Sequence, residues 1–301
     1  MHSGHAVLFD SGDETMALGC FPGCRVLTGA CAAWLLIEWL TLARATDVAW
    51  APAETGHLTI EPAPPGRLPW VVFDERSGLP QHTVVDLLTD QHGFVWAATQ
   101  DGAARYNGRT WETIPFLGRI GSNYARVMRI AKDGGIWFGS YDGGLAYLKD
   151  GVWKVYDTRS GLPSNRIRGL LETADPQGSV LWIATDQGIA RMQNGRIKVF
   201  GLASGLPSLD TKALCETTES NGGHGLLVGT SSGLALLVGD RFVTVPVPKA
   251  LLGDRIDDMV ESPGLNGDPA LWSASYGAGI AVFERGEWTW LDKTSGLPSN
   301  V

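Results

Sequence analysis

The chain is predicted to be all-β: a β-propeller built of four-stranded antiparallel blades, with five repeats, an orphan N-terminal outer strand and a truncated sixth repeat. Two observations carry this. A strand centred on a bulky residue recurs at Trp96, Trp137, Trp182, Leu227 and Trp272, with spacings of 41, 45, 45 and 45 residues. Each copy continues with one variable residue, Ala or Gly, then Thr or Ser, as in Trp182-Ile183-Ala184-Thr185. Short strands repeating every ~40–45 residues match one propeller blade. The second observation is a tripeptide, Gly-Leu-Pro, which stands at 78–80, 161–163, 205–207 and 296–298, between an outer strand and the next inner one. Proline has fixed φ and no N–H for a ladder, so it ends a strand cleanly.

The elements of one unit follow in order. An apolar inner strand comes first, as in Val84-Val85-Asp86-Leu87-Leu88 and Ile256-Asp257-Asp258-Met259-Val260. The Trp strand is second. The third opens on Gly, then a small or aliphatic residue, then Ala, as in Gly188-Ile189-Ala190. After a turn at Gly108, Gly151, Gly195, Gly239 or Gly286, a fourth strand begins around Trp111, Trp153, Ile197, Phe242 or Trp288. Glycine suits turns that need positive φ. A lone four-stranded sheet cannot cover both its faces, so the units stack around an axis. The Trp residues of the repeats are then blade-to-blade core, and the Ala or Gly two places after each leaves room for a facing aromatic.

At the N-terminal side, 70–80 match 153–163 closely, which makes 70–73 an orphan outer strand; propellers commonly close by letting such a strand complete the last blade. At the other end Gly296-Leu297-Pro298-Ser299-Asn300-Val301 reads as the opening of a sixth unit. Leu117-Gly118 and Leu252-Gly253 replace the tripeptide in two loops. Residues 69–301 form the propeller and 46–68 a Pro/Ala/Glu linker. Residues 1–45 read as a secretory leader, with Met16 as the true start, an apolar run over 26–42 interrupted by Glu38, and cleavage after Ala45. A retained membrane anchor is the competing reading. Periplasmic or secreted localisation follows from the leader.

The formal charge is -8 and no basic cluster appears along the chain. Nucleic-acid binding needs such a cluster and is not expected. Three of the four cysteines fall within 1–45, leaving Cys215 and no intrachain disulfide.

The succession Gly-Leu-Pro, apolar strand, Asp-x-x-Gly, Trp-x-Ala/Gly-Thr and Gly-Ile/Leu-Ala resembles the two-component regulator propeller repeat, over Trp70 to Val301. The resemblance implies the periplasmic sensor region of a bacterial signalling receptor. In that family the propellers precede an immunoglobulin-like domain, a membrane span and a kinase, hybrid or diguanylate cyclase output. No output motif is readable here, and the family has no shared catalytic residues to carry over. The parent protein is expected to be anchored in the inner membrane through its leader or a later segment.

No catalytic residue, cofactor or metal is expected. The histidines lack metal-ligand spacing, the Ser-Gly pairs are turn residues, and the Gly-rich spots precede no helix that could bind phosphate. Asp133, Asp142, Asp175 and Asp186 sit where Asp bonds its own turn. Antiparallel topology sends the Gly-Leu-Pro loop and the turn after each Trp strand to one face. That face collects the candidate ligand-binding residues His82, Gln100, Asp101, Tyr141, Asp142, Asn165, Arg166, Asp186, Gln187 and Tyr276, with Asp210, Ser231 and Ser232 beside them. Polar groups interleaved with Tyr suit a glycan or another polar ligand. Asp86, Arg129 and Asp258 are expected on the channel wall. The function expected is ligand sensing, with downstream signalling domains or a second subunit as partners; a protein-contact scaffold and a polysaccharide-acting propeller enzyme are the alternatives.

Overall fold

A computed structural model describes residues 6–10, 15–19, 70–116, 118–218, 224–247 and 255–299. Among them are five four-stranded antiparallel sheets, each with its strands in chain order from the axis outward. Blade 1 comprises Val84–Thr89, Val95–Thr99, Gly102–Tyr106 and Trp111–Ile114; blade 2 Ala125–Ile130, Ile136–Ser140, Leu145–Lys149 and Val152–Tyr156. Blade 3 comprises Ile167–Asp175, Gly178–Thr185, Gly188–Gln193 and Arg196–Phe200; blade 4 Thr211–Thr218, His224–Thr230, Gly233–Val238 and Arg241–Val245. Blade 5 comprises Arg255–Pro263, Pro269–Tyr276, Gly279–Glu284 and Glu287–Leu291. The first strands of successive blades lie side by side and so line the axis. The fold is the β-propeller architecture that the repeat predicts.

Apolar cores lie between blades. Trp96 and Ala98 of blade 1 pack with Met128, Ile136 and Phe138 of blade 2. Val127 and Leu145 of blade 2 meet Ile167 and Ile183 of blade 3, Trp182 and Phe200 meet Leu226 and Phe242 of blade 4, and Leu227 meets Ile256 and Met259 of blade 5. The residue facing the small position differs from expectation. At Gly139 and Gly229 an added Cβ would strike Ile167 and Ile256, the β-branched side chains opening the next inner strand. On the second strands, the indole N–H of each buried Trp is tied to the preceding hairpin: Trp96 to Asp90 at 2.9 Å, Trp182 to Thr173 at 3.1 Å and Trp272 to the Pro263 carbonyl at 3.1 Å.

The Gly-Leu-Pro segment is more than a strand stop. Asp74, Asp157 and Asp292 each cap a single 3₁₀ turn, and Gly78, Gly161 and Gly296 close it in the left-handed region at φ 100°, 104° and 104°. The following Leu N–H returns to the cap carbonyl, and Leu79, Leu162 and Leu206 are buried to 3% exposure. Each Leu is a peg in an apolar core, contributing ~1.5–3 kcal/mol by burial.

The outer faces of blades 1 and 5 do not share a core among the described residues; each is covered by its own pegs, Leu79 with Phe73 and Leu297 respectively. Trp70–Val72 pairs in parallel with Ala6–Leu8, which also forms a hairpin with Thr15–Gly19. Blade 5 carries Glu287–Leu291 at its outer edge, paired along Ile280–Glu284. The apolar run over 26–42, the cleavage position and the linker lie outside the described residues. No helix among the described residues is long and apolar enough to cross a membrane.

Candidate functional site

One device builds the loop face. In blades 1 to 4 the Thr or Ser ending the second strand is buried, and its hydroxyl donates to the carbonyl of the glycine after the turn: Thr99 to Gly102 at 2.9 Å, Ser140 to Gly144 at 3.0 Å, Thr185 to Gly188 at 2.7 Å and Thr230 to Gly233 at 2.9 Å. The same oxygens accept from the turn N–H groups of Asp101, Gly143, Gln187 and Ser232. In blades 1 to 3 each turn is then bonded to the loop entering the next blade: Gly102 N–H donates to Asn123 O, Gly144 to Asn165 O and Gly188 to Leu209 O, at 2.7–2.9 Å. In blade 4 Ser231 N–H donates to Asp210 O, in the loop entering its own blade, at 3.0 Å. The two loop sets therefore share one face, as the topology argument requires.

At the axial end of this face every inner strand is bulged at the same step: between Val84 and Asp86, Ala125 and Val127, Ile167 and Gly169, Thr211 and Ala213, and Ile256 and Asp258. A bulge leaves one residue out of the ladder and re-aims its side chain. The five residues so displaced are Val85, Arg126, Arg168, Lys212 and Asp257. Three consecutive blades thus carry a cation at the channel mouth. Lys212 Nζ lies 3.0 Å from Asp257 Oδ1, which also accepts from Arg255 Nε at 2.6 Å. Arg168 Nε is 3.3 Å from Asp210 Oδ1, and Arg166 is 3.7 Å from Asp186. Arg126 pairs with no carboxylate among the described residues; its guanidinium lies 5.6 Å from the centroid of Tyr141, which Arg166 also approaches at 5.4 Å. Tyr141 stacks on Tyr124 at 5.1 Å and 10°, and Arg255 lies over Tyr276 at 5.0 Å.

The protonation equilibria follow from this crowding. Burial, then the Arg168 charge, lowers the affinity of Arg126 for its proton. Burial also pulls Lys212 down, against the opposing pull of Asp257. Burial opposes the charge of Asp257, yet Arg255 and Lys212 together hold it below the usual carboxylate range. Deeper along the axis, Asp86 is pushed by burial to about 7 and Asp258 to about 6. Asp86 Oδ2 accepts from Met128 N–H of blade 2 at 2.6 Å and Oδ1 from Leu87 N–H at 2.8 Å, so this channel-wall residue joins two blades. Arg129 donates to the Leu170 carbonyl at 2.9 Å and joins blades 2 and 3.

The structure brings Tyr141, Arg166, Asp186, Asp210 and Tyr276 to this mouth. Asp101 accepts from Asn123 at 2.6 Å on the neighbouring loop, and Asn165 Oδ1 caps Thr158 N–H at 2.9 Å. Gln100, Asp142 and Gln187 are exposed on the turns. His82 stands apart, 3.0 Å from Glu75. The sequence reading did not single out Arg126, Arg168, Lys212, Tyr124 and Arg255. Their signal is positional: with the repeats in phase, Arg126, Arg168 and Lys212 occupy one column, just after the residue that opens the inner strand. On the opposite face a cleft of ≈ 300 Å³ between blades 2 and 3 is lined by Trp137, Tyr147, Tyr156, Asp133, Glu172 and Lys154. No group of three or more His, Cys, Asp or Glu among the described residues is arranged to hold a metal.

No protein-family model and no curated protein sequence matches this chain. Solved structures do. The extracellular domain described as that of a hybrid two component system, BT3049 from B. thetaiotaomicron, aligns at TM-score 0.52 and 20% identity, over 67% of this chain and 29% of that one. The extracellular domain of BT4673 from the same organism aligns at 0.54 and 15%, over 71% and 30%. Virginiamycin B lyase from Staphylococcus aureus aligns at 0.50 and 17%, over 68% of both chains. The chain thus spans less than a third of the length of the sensor domains it matches. The propeller fold is shared by sensor domains and by an enzyme.

Proposed function

We propose that this chain is a propeller segment of the extracytoplasmic region of a two-component-type sensor, and that it binds its ligand at the channel mouth on the loop face. The observation that carries the reading is the inner-strand bulge repeated in all five blades, which turns charged side chains of adjacent blades toward one place beside Tyr141 and Tyr276. Rigid strands position these groups, and recognition residues held on a rigid scaffold are the usual form of a binding site. Ligand contacts made to several blades at once would alter how the propeller seats against a downstream domain or a second subunit. The leader and the extracellular neighbours support a location outside the cytoplasm.

The test is a thermal-shift screen of the full chain against oligosaccharides and other polar metabolites, repeated on Tyr141→Ala. Ligands that stabilise the parent and fail to stabilise the variant support the site. Stabilisation that survives the substitution moves the site elsewhere, and no response from any compound counts against ligand sensing.

A protein-contact reading has its own observation. Val152, Val155, Val199 and Val243, on the outer strands of blades 2, 3 and 4, are each at least 39% exposed. Exposed apolar edges of this kind suit pairing with another chain.

A further inference from the structure

The same mouth carries polar atoms that the protein leaves without hydrogen bonds. Asp186 Oδ1 and Asn123 Oδ1 are buried acceptors with no hydrogen-bond donor among the described residues, and Asp210 Oδ1 and Arg168 Nε, 3.3 Å apart as an ion pair, lack the alignment of a hydrogen bond. Buried polar groups are nearly always satisfied, so each such atom calls for an explanation. Around them stand five cations, Arg126, Arg166, Arg168, Lys212 and Arg255, against three carboxylates that pair with them, Asp186, Asp210 and Asp257. Asp101 and Asp142 on the outer turns pair with none of the five among the described residues. This local positive excess lies in a chain of formal charge -8. Arg126 holds the unmatched charge: it is partly desolvated, it is repelled by Arg168, and Tyr141 is the group it faces.

Unmatched acceptors beside an unmatched guanidinium define the missing chemistry. A simple anion such as phosphate or acetate would answer Arg126 and leave the acceptor oxygens unserved. A neutral sugar would donate hydroxyls to the acceptors and leave the guanidinium unpaired. We propose that the mouth binds a polyhydroxylated carboxylate, of the uronic or aldonic acid class, with its carboxylate on Arg126 and Arg168 and its hydroxyls donated to Asp186 and Asp210. The planar fork of arginine matches a carboxylate with two parallel hydrogen bonds. This inference rests on the proposed sensing role of the mouth and narrows it to a ligand class.

Titration calorimetry of the full chain provides the test, with galacturonate, glucuronate and gluconate set against galactose, glucose and glucitol, and with phosphate and acetate as plain anions. At least one acid is expected to bind about tenfold or more tighter than its neutral counterpart. Arg126→Gln is expected to erase that preference while melting at or above the parent temperature, because the native guanidinium is desolvated without a carboxylate partner. Asp186→Asn is expected to weaken the acid and leave weak binding of plain anions unchanged. An acid that binds no better than its neutral counterpart overturns the inference, as does a preference that survives Arg126→Gln, or phosphate binding as tightly as the best sugar acid. Neutral sugars that bind at a Tyr141-dependent site without any gain from a carboxylate would overturn the ligand class and leave the sensing role standing. No binding by any compound, in a protein that the broader screen also finds inert, removes both.

Discussion

Asp86 offers a sharp test of how the blades are joined at the axis. It is 6% exposed, and its two oxygens accept from Leu87 of its own strand and Met128 of the next blade. Burial raises its pKa from 3.8 to about 7, against the pull of those N–H groups and of Arg129. One pKa unit is ~1.4 kcal/mol, so the folded chain prefers the protonated carboxyl by ~4 kcal/mol. Because the folded state holds this proton more tightly than the unfolded one, the stabilisation is complete below about pH 4. It is lost as pH rises toward 7. Asp86→Asn is neutral throughout and carries no such dependence; losing one acceptor oxygen adds only a pH-independent cost of ~1–3 kcal/mol, on which the parent's pH-dependent contribution is superimposed. Urea unfolding of both proteins between pH 4.5 and 8 isolates the effect in the difference between their free energies, where other titrating groups cancel. The parent's advantage is expected to shrink by ~3 kcal/mol across that range. A difference that stays flat, or that grows with pH, refutes the buried, proton-binding account of this carboxyl.

Four further substitutions probe the repeat. Gly205→Ala and Gly296→Ala both force a residue with a side chain into the left-handed region, at φ 96° and 104°, which costs ~1–3 kcal/mol. At Gly205 the new Cβ would also fall on the Phe242 carbonyl, whereas at Gly296 no atom of the described residues lies within 4 Å; thermal melts should therefore show Gly205→Ala as clearly the more damaging, and equal losses would contradict the peg-loop packing. Leu162→Ala removes a peg at 3% exposure and should lower unfolding free energy by ~2–5 kcal/mol in denaturant titrations. Thr211→Val strips Thr185 N–H of its acceptor and removes the hydroxyl that donates to Thr185 O at 2.8 Å. It should cost ~1–3 kcal/mol and speed amide exchange at Thr185, and an unchanged exchange rate would argue that this bond does not hold blades 3 and 4 together.

Blade identity was legible because periodic burial writes itself into residue type. The bulky residue of the second strand, the small residue two places on and the Thr or Ser that staples the turn each face a repeated environment, so the environment reappears as a repeated letter. The shared loop face was legible too, since strand parity alone decides which turns emerge together. The function of Leu in Gly-Leu-Pro was not, because its burial depends on the packed core it enters. Likewise Gly139 and Gly229 revealed a need for space and concealed that Ile167 and Ile256 fill it.

The candidate site divides along the same line. Tyr141, Arg166, Asp186 and Tyr276 could be placed on the loop face from the chain order of the strands. Arg126, Arg168 and Lys212 lie within inner strands, where alternation would assign each to one sheet face or the other. Their meeting at the axis depends on the bulge, and a bulge is a slip in pairing register that no single strand displays. Residue order and periodicity alone dictated the blade, the count of repeats and the face on which loops gather. Three-dimensional packing decided which side chains share the mouth, which buried oxygens lack a donor there and where 70–72 pairs, because each of these depends on distances between segments some 40 or more residues apart.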